Sequence, residues 1–256
     1  MRRNSEEIAK MRRAGKVVVE IKERTMDMVR PGITTLELDK ISRQVLEKRG
    51  AKSNFLNYHG FPATIGTSPN SMIVHGIPGS YVLEEGDIIS IDCGAIVDGY
   101  HGDSAYTVGV GKISKVAQHL IDVTERSLMA AVDVMFEGNR LHDIGRVVER
   151  IVEAEGFSVV KDYVGHGIGT SMHEPPSVPN YWPGNAGPKL KVGNVLAVEP
   201  MVNVGGAETV TLDDGWSVVT ADGSLSAHFE HTIAILENGP EILTVRVSVL
   251  AERFHR

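Results

Sequence analysis

The sequence predicts an α+β fold made of two helix–helix–hairpin halves that share one mainly antiparallel sheet, with helices on one side. Three observations predict it. Residues 88–106, IISIDCGAIVDGYHGDSAY, place Asp98-Gly99 between two apolar stretches, the signal for a two-residue hairpin turn. A helix–helix pattern in residues 5–50 returns at a constant offset of 106, matching Gly32 to Gly138, Leu38 to Ile144, Ile41 to Val147, Val45 to Ile151, Leu46 to Val152 and Gly50 to Gly156. The stretch LEEGDIISID (83–92) matches LKVGNVLAVE (190–199) at an offset of 107, so that Asp92 meets Glu199. A repeat of two copies predicts one pseudo-symmetric domain over 1–256, with halves of about 5–112 and 113–246, rather than a solenoid.

Each element has its own signals. Ser5-Glu6-Glu7 opens a helix with apolar positions Ile8, Met11, Ala14, Val18, Ile21 and Met28, and Arg30-Pro31-Gly32 ends it. Thr35 is the expected N-cap of a second helix that stops at Gly50. Residues 52–82, rich in Gly, Pro, Asn and Ser, read as loop and strand before the hairpin. Ser114 opens a third helix running to about Phe136, and a fourth carries Ile144, Val147, Ile151 and Val152 up to Gly156. Strands occupy the rest, with turns at Asp213-Asp214-Gly215 and Asp222-Gly223 and a last strand that puts His228, Glu230 and Thr232 on one face.

Composition excludes several classes. A hydrophobic fraction of 42% and a charged fraction of 23% are those of a globular protein, and the net charge of −7 argues against sequence-independent nucleic-acid binding. Residues 1–24 carry eight Lys/Arg against four Glu, read as a solvated helix face. With Cys93 alone there is neither a disulfide framework nor a cysteine zinc site, and Cys93 reads as a small buried hydrophobe. No apolar run is long enough to cross a membrane and the N-terminus lacks an apolar signal region, so the expected location is the cytoplasm.

The hairpin carries the chemistry. With a two-residue turn, Asp92 pairs with Ala105 and Asp103 with Gly94, leaving the two aspartates diagonal on one face, about 7–8 Å apart at the backbone. One carboxylate in an apolar strand is most simply exposed or capping a turn. Two on one face repel each other, and a divalent cation removes that cost. The repeat adds Glu199 as the counterpart of Asp92, and Glu230 as the counterpart of Asp103. His75, His166 and His173 lie in Gly/Pro-rich loops and offer nitrogen donors beside these four carboxylates.

Six segments, YHGFP (58–62), VHGIP (74–78), IDCG…DGYHGD (91–103), GHGIGTSMHEPP (165–176), VEPM (198–201) and TADGSLSAHFEHT (220–232), together resemble type I methionine aminopeptidases of the creatinase, or pita-bread, superfamily. The resemblance runs from the first helix to about residue 245. It implies a curved sheet with helices on its outer side. It implies two divalent metals (Co, Mn, Fe(II) or Zn, the sequence not deciding which) on Asp92, Asp103, His166, Glu199 and Glu230, with Asp103 and Glu230 bridging. Glu199 is implied as proton acceptor for the attacking water, His173 as a donor to the tetrahedral intermediate and His75 as a residue near the scissile nitrogen, these last two also contacting substrate. Phe55, Tyr58, His59, Phe61, Gly66, Met172 and Trp216 are implied as walls for a methionine side chain. Asn70, Met72 and Ser226 lie where some relatives bind a monovalent cation.

Three positions depart from the family pattern: Gly66 replaces a common cysteine, Met172 a common phenylalanine and His228 a frequent glutamine. The resemblance implies removal of the initiator methionine from nascent chains when the second residue is small. The expected partners are nascent polypeptide N-termini and a transient ribosome contact, without a sequence-specific nucleic acid or membrane, the protein being a monomer. A proline-directed aminopeptidase and a non-catalytic binding protein on the same scaffold are the competing readings. The first usually carries an extra N-terminal domain; the second would have lost ligands. GVGKISKV (109–116) lacks phosphate-loop spacing, and neither an H-E-x-x-H nor a G-x-S-x-G motif occurs.

Overall fold

The computed structural model describes residues 2–245. The expected limits at residues 1, 246 and 256 lie outside them. Helices α1 (Ser5–Met26) and α2 (Thr35–Arg49) come first, followed by strands β1 (Lys52–Ser53), β2 (Ile65–Pro69) and β3 (Met72–Val74) and the hairpin of β4 (Ile88–Val97) and β5 (Tyr100–Gly109). Helices α3 (Lys115–Val132) and α4 (Asp143–Ala154) follow. The second run of strands is β6 (Ser158–Val159), β7 (Gly165–Gly167), β8 (Glu174–Val178), β9 (Val195–Val198), β10 (Met201–Asn203), β11 (Thr209–Thr211), β12 (Val218–Thr220), β13 (Ser226–His228), β14 (His231–Leu236) and β15 (Gly239–Ile242).

Capping explains the helix starts. Asn4 and Thr34 each form a capping box, with Glu7 and Glu37 respectively, so α2 is capped one residue earlier than the sequence predicts. Ser114 caps α3 by accepting from the Ala117 amide. That helix ends at Val132 rather than near Phe136. The chain tightens there, Val134 N bonding Ala131 O and Met135 N bonding Val132 O, which buries Met135 and leaves Phe136 exposed. Helix α1 likewise ends at Met26, and Met28 packs on the core from outside it. In α4 the buried stripe is Ile144, Val148 and Val152, with Val147 half-buried.

The strands pair antiparallel in four groups: β1–β4–β2 with β5 on β4; β13–β10–β6; β11–β12–β3; and β15–β14–β9–β7–β8. The expected single last strand is broken. Phe229 N turns to Pro200 O and Glu230 N to Ala105 O, so β13 and β14 join different groups. Side-chain hydroxyls bridge the groups where β5 meets this break. The Thr232 hydroxyl accepts from Asp103 N (2.9 Å) and donates to Asp103 O (2.8 Å), Ser104 Oγ donates to Glu230 O (2.6 Å) and Thr107 Oγ1 to His228 O (2.9 Å). Helices α1 and α2 pack together, as do α3 and α4, and α1 lies on β4 and β5. A side chain at Gly102 of β5 would press on the α1 backbone at Gly15 N, 3.0 Å away, so the helix seats closely on the hairpin.

The basic start of the chain is less solvated than expected. The Arg3 side chain is buried against Glu174, and Lys22 turns inward, its Nζ donating to Ser104 Oγ (2.9 Å). Lys22 follows the buried Val18 by one helical turn, so it shares the face that covers the hairpin.

Candidate metal centre and substrate cavity

The Asp98-Gly99 turn, with φ of +50° and +77°, closes the hairpin at Val97↔Tyr100. That register sets Asp92 opposite Ala105 and Asp103 opposite Gly94, both aspartates on the face turned away from α1. Asp92 also lies opposite Gly66 of β2, where an added Cβ would stand 3.6 Å from the Asp92 Cβ. His166 is the middle residue of β7, Glu199 directly follows β9, and Glu230 sits in the break between β13 and β14. Asp103, His166 and Glu230 are buried, and each offers a ligand atom within 4.8 Å of the other two.

Electrostatics make this cluster unstable by itself. Burial pushes the Asp92 carboxyl up to about 7. Burial, then the charges of Asp92 and Glu199, lifts Asp103 well above the carboxylate range. Glu199 rises through burial and Asp92, and Glu230 through burial and then Asp103. One oxygen each of Asp92, Asp103 and Glu230 is buried without a hydrogen-bond partner among the described residues. His166 Nδ1 faces the Gly167 carbonyl at 2.9 Å; a carbonyl only accepts, so Nδ1 carries the proton and the Nε2 lone pair faces the cluster, 3.4 Å from Glu199 Oε1. Burial and the neighbouring His173 push His166 down to about 4, which keeps that lone pair free. Unpartnered buried oxygens with one imidazole lone pair are the donor set a divalent transition metal takes, so these residues fit such an ion.

A cavity of about 160 Å³ opens from the cluster. Phe55, Tyr58, Phe61, Gly66, Met172 and Trp216 line it together with His75 and His173. Phe61 meets Phe55 and Trp216 edge-on at 6.4 and 5.1 Å between ring centres. The Tyr58 hydroxyl lies 2.7 Å from His173 Nδ1, and the His173 ring stacks edgewise on His166 at 4.2 Å. Desolvation by surrounding protein and the nearby His59 holds His173 below the ordinary histidine range, although one side of the ring is open to solvent. His75, at the cavity surface beside Tyr163, has a φ of +63°, a left-handed conformation that costs a non-glycine residue of order 1–3 kcal/mol. His59 is exposed and does not line the cavity; its ring rests on Tyr58. Asn70 and Ser226 meet through a Ser226 N to Asn70 O bond of 2.9 Å, next to the strand that Met72 opens.

The family model for metallopeptidase family M24 matches residues 9–237. The chain belongs to metallopeptidase family M24. It is 53% identical over 243 residues to the methionine aminopeptidase of Clostridium perfringens, covering 95% of this chain and 98% of that one. The methionine aminopeptidase structure from Rickettsia prowazekii superposes with a TM-score of 0.94 at 40% identity, covering 96% and 99% of the two chains. The Xaa-Pro dipeptidase of Bacillus anthracis shares the fold at a TM-score of 0.77 and 21% identity, this chain covering 62% of it. The pita-bread architecture is thus shared with that dipeptidase, and membership of a metallopeptidase family implies use of a divalent metal.

Several residues around the M24 centre escape a reading by motif. Asn54 donates to Gly102 O at 3.0 Å, and a hydrogen bond from its side chain opposes the rise of the Asp103 carboxyl. Asn180 Nδ2 donates to the Glu199 carbonyl at 3.0 Å. His228 is fully buried beside Glu199. Of these, His228 alone had a sequence signal, its two-residue spacing from Glu230 on the same face. Among the described residues, no helix is long and apolar enough to cross a membrane.

Proposed function

We infer that the chain is a methionine aminopeptidase, a metal-dependent hydrolase acting on peptide N-termini, and that its natural substrates are nascent chains whose second residue is small. The observation that carries this reading is the junction of the carboxylate cluster with the aromatic and methionine-lined cavity: the group that hydrolyses and the walls that recognise a side chain share one space. Contact with an aromatic ring favours a thioether sulfur by about 0.3–1.5 kcal/mol, and Phe55, Phe61 and Trp216 line the cavity.

Asp92, Asp103, His166, Glu199 and Glu230 would hold two divalent ions. Bound there, the ions supply Lewis acidity that lowers the pKa of water and polarises the scissile carbonyl. Glu199 accepts the proton of the attacking water, its carboxylate lying at the cavity wall. With the Tyr58 phenol donating to His173 Nδ1, His173 carries its proton on Nε2 and donates it to the developing oxyanion. His75, which lines the cavity, serves the leaving nitrogen. A cytoplasmic monomer in transient contact with the ribosome fits this role. Gly66 and Met172 set the width of the methionine pocket, and Asn70, Met72 and Ser226 form the candidate monovalent cation site.

The test is hydrolysis of Met-Ala-Ser against Ala-Pro peptides, with and without added Mn²⁺ or Co²⁺. Metal-dependent release of methionine from Met-Ala-Ser alone is expected. Cleavage of Ala-Pro instead would move the chain to the proline-directed branch, and cleavage of neither by metal-loaded protein would favour a binding role.

A further inference from the structure

Glu199 stands between two imidazoles. Its Oε1 is 3.4 Å from His166 Nε2, and its Oε2 is 3.7 Å from His228 Nε2. His166 belongs to the metal-ligating triad; His228 does not. Yet His228 is 1% exposed, and its Nε2 is buried without a hydrogen-bond partner among the described residues. An orphaned buried ring nitrogen costs about 1–3 kcal/mol, so its retention against a carboxylate calls for a reason.

The backbone of His228 is held tightly. Its amide donates to Thr107 Oγ1 at 2.8 Å, its carbonyl accepts from the same hydroxyl at 2.9 Å, and β13 pairs it opposite Met201. The peptide bearing the ring is therefore anchored to β5 and β10, while the ring points at Glu199. The Glu199 backbone is anchored too, through Asn180. Two fixed backbones aim a nitrogen and a carboxylate oxygen at each other just beyond hydrogen-bond distance. A small side-chain adjustment closes that gap.

We propose that His228 is a positioning residue for Glu199: its Nε2–H donates to Oε2, fixing the carboxylate plane so that Oε1 faces the His166 side of the cluster. This rests on the assignment of Glu199 as ligand and proton acceptor. The bond does for a carboxylate ligand what second partners do for metal-bound histidines, where their loss costs 10–100-fold in metal affinity or activity. Any side chain with an N–H donor of the same reach serves; one without it leaves the carboxylate free to rotate.

The test compares the full-length wild type with His228→Leu, His228→Gln and His228→Asn. Isothermal titration of the metal-free proteins with Mn²⁺ reads the role directly, and Met-Ala-Ser kinetics read it through turnover. His228→Leu is expected to weaken Mn²⁺ binding and lower kcat, each by about 10–100-fold, with KM within about two-fold. His228→Gln restores most of both, and His228→Asn, too short to reach, behaves like Leu. Should His228→Leu not fold, the Gln and Asn variants decide between themselves. Wild-type Mn²⁺ affinity and kcat in the folded Leu or Asn variant would overturn the proposal. So would loss of one Mn²⁺ equivalent that Gln fails to restore, which would make His228 a ligand. If the wild type binds Mn²⁺ but does not cleave Met-Ala-Ser, the functional reading fails while the titration still decides the role of His228.

Discussion

At the scale of single residues, the centre separates groups that hold charge from groups that respond to it. Tyr58 lies 2.7 Å from His173 Nδ1, and a phenol that donates there leaves the ring proton on Nε2, so the pair is proposed to act as one donor. Replacing His173 with alanine removes that donor, and kcat on Met-Ala-Ser is expected to fall about 10²–10³-fold with little change in KM, the pattern of an interaction made in the transition state. Steady-state kinetics check it; a change confined to KM would place His173 in binding alone. Much of this scale was readable from the sequence. Asp92 and Asp103 stood out because a carboxylate pair on one face of an apolar hairpin demands a counter-charge. Glu199 and Glu230 followed from the repeat offset. His59 shows the limit: three aromatic neighbours in one segment do not reveal that its own ring turns out to solvent. Lys22 is a second case. Its charge put it with the solvated basic face of residues 1–24, and only the fold shows that it lies on the Val18 face with a β5 hydroxyl to receive it.

At the scale of elements, the hairpin was the most legible part, because Asp98-Gly99 specifies both turn and register. The least legible was the segment from Ser226 to Leu236. Its alternation is that of one strand, yet at Phe229 and Glu230 its amides turn to carbonyls of Pro200 and Ala105. Alternation reports which side a residue faces, not which neighbour takes its hydrogen bonds. Close approach of α1 to the rest of the molecule supplies a test at this scale. By helix propensity, Gly15→Ala should stabilise α1 by about 1 kcal/mol. But a Cβ at Gly15 would collide with the Leu243 carbonyl oxygen, a backbone atom with little freedom to move. Packing is expected to win, giving a net loss of about 1–3 kcal/mol in urea unfolding. A stabilised variant would show that α1 can lift from the segment around Leu243 at no cost.

At the scale of the whole molecule, the carboxylate cluster couples stability to pH. Asp92 has an ordinary value of 3.8 and is pushed to about 7 in the folded chain. Below the lower value it is protonated in both folded and unfolded chains. Between the two, the unfolded chain releases the proton and the folded chain keeps it, so the metal-free protein should lose stability as pH rises from about 4 to about 7. Asp103, Glu199 and Glu230, all raised, act in the same direction. Saturating Mn²⁺ should reverse the slope, because the ion binds the deprotonated cluster and stabilises the folded state by mass action. Thermal unfolding in chelator and in Mn²⁺ across this range measures both. A flat profile in chelator would show that the carboxyls stay ionised without a metal.

The hydroxyl bridges from Ser104, Thr107 and Thr232 give the boundary between strand groups a further significance. They turn a gap in the ladder into a laced seam, and Asp103 and Glu230 sit on opposite lips of it. An ion proposed to sit between those two residues would be held less tightly each time the lacing slackens. Its residence time would then depend in part on how often the seam opens. A serine or threonine that never touches the ion would set how long the enzyme stays armed.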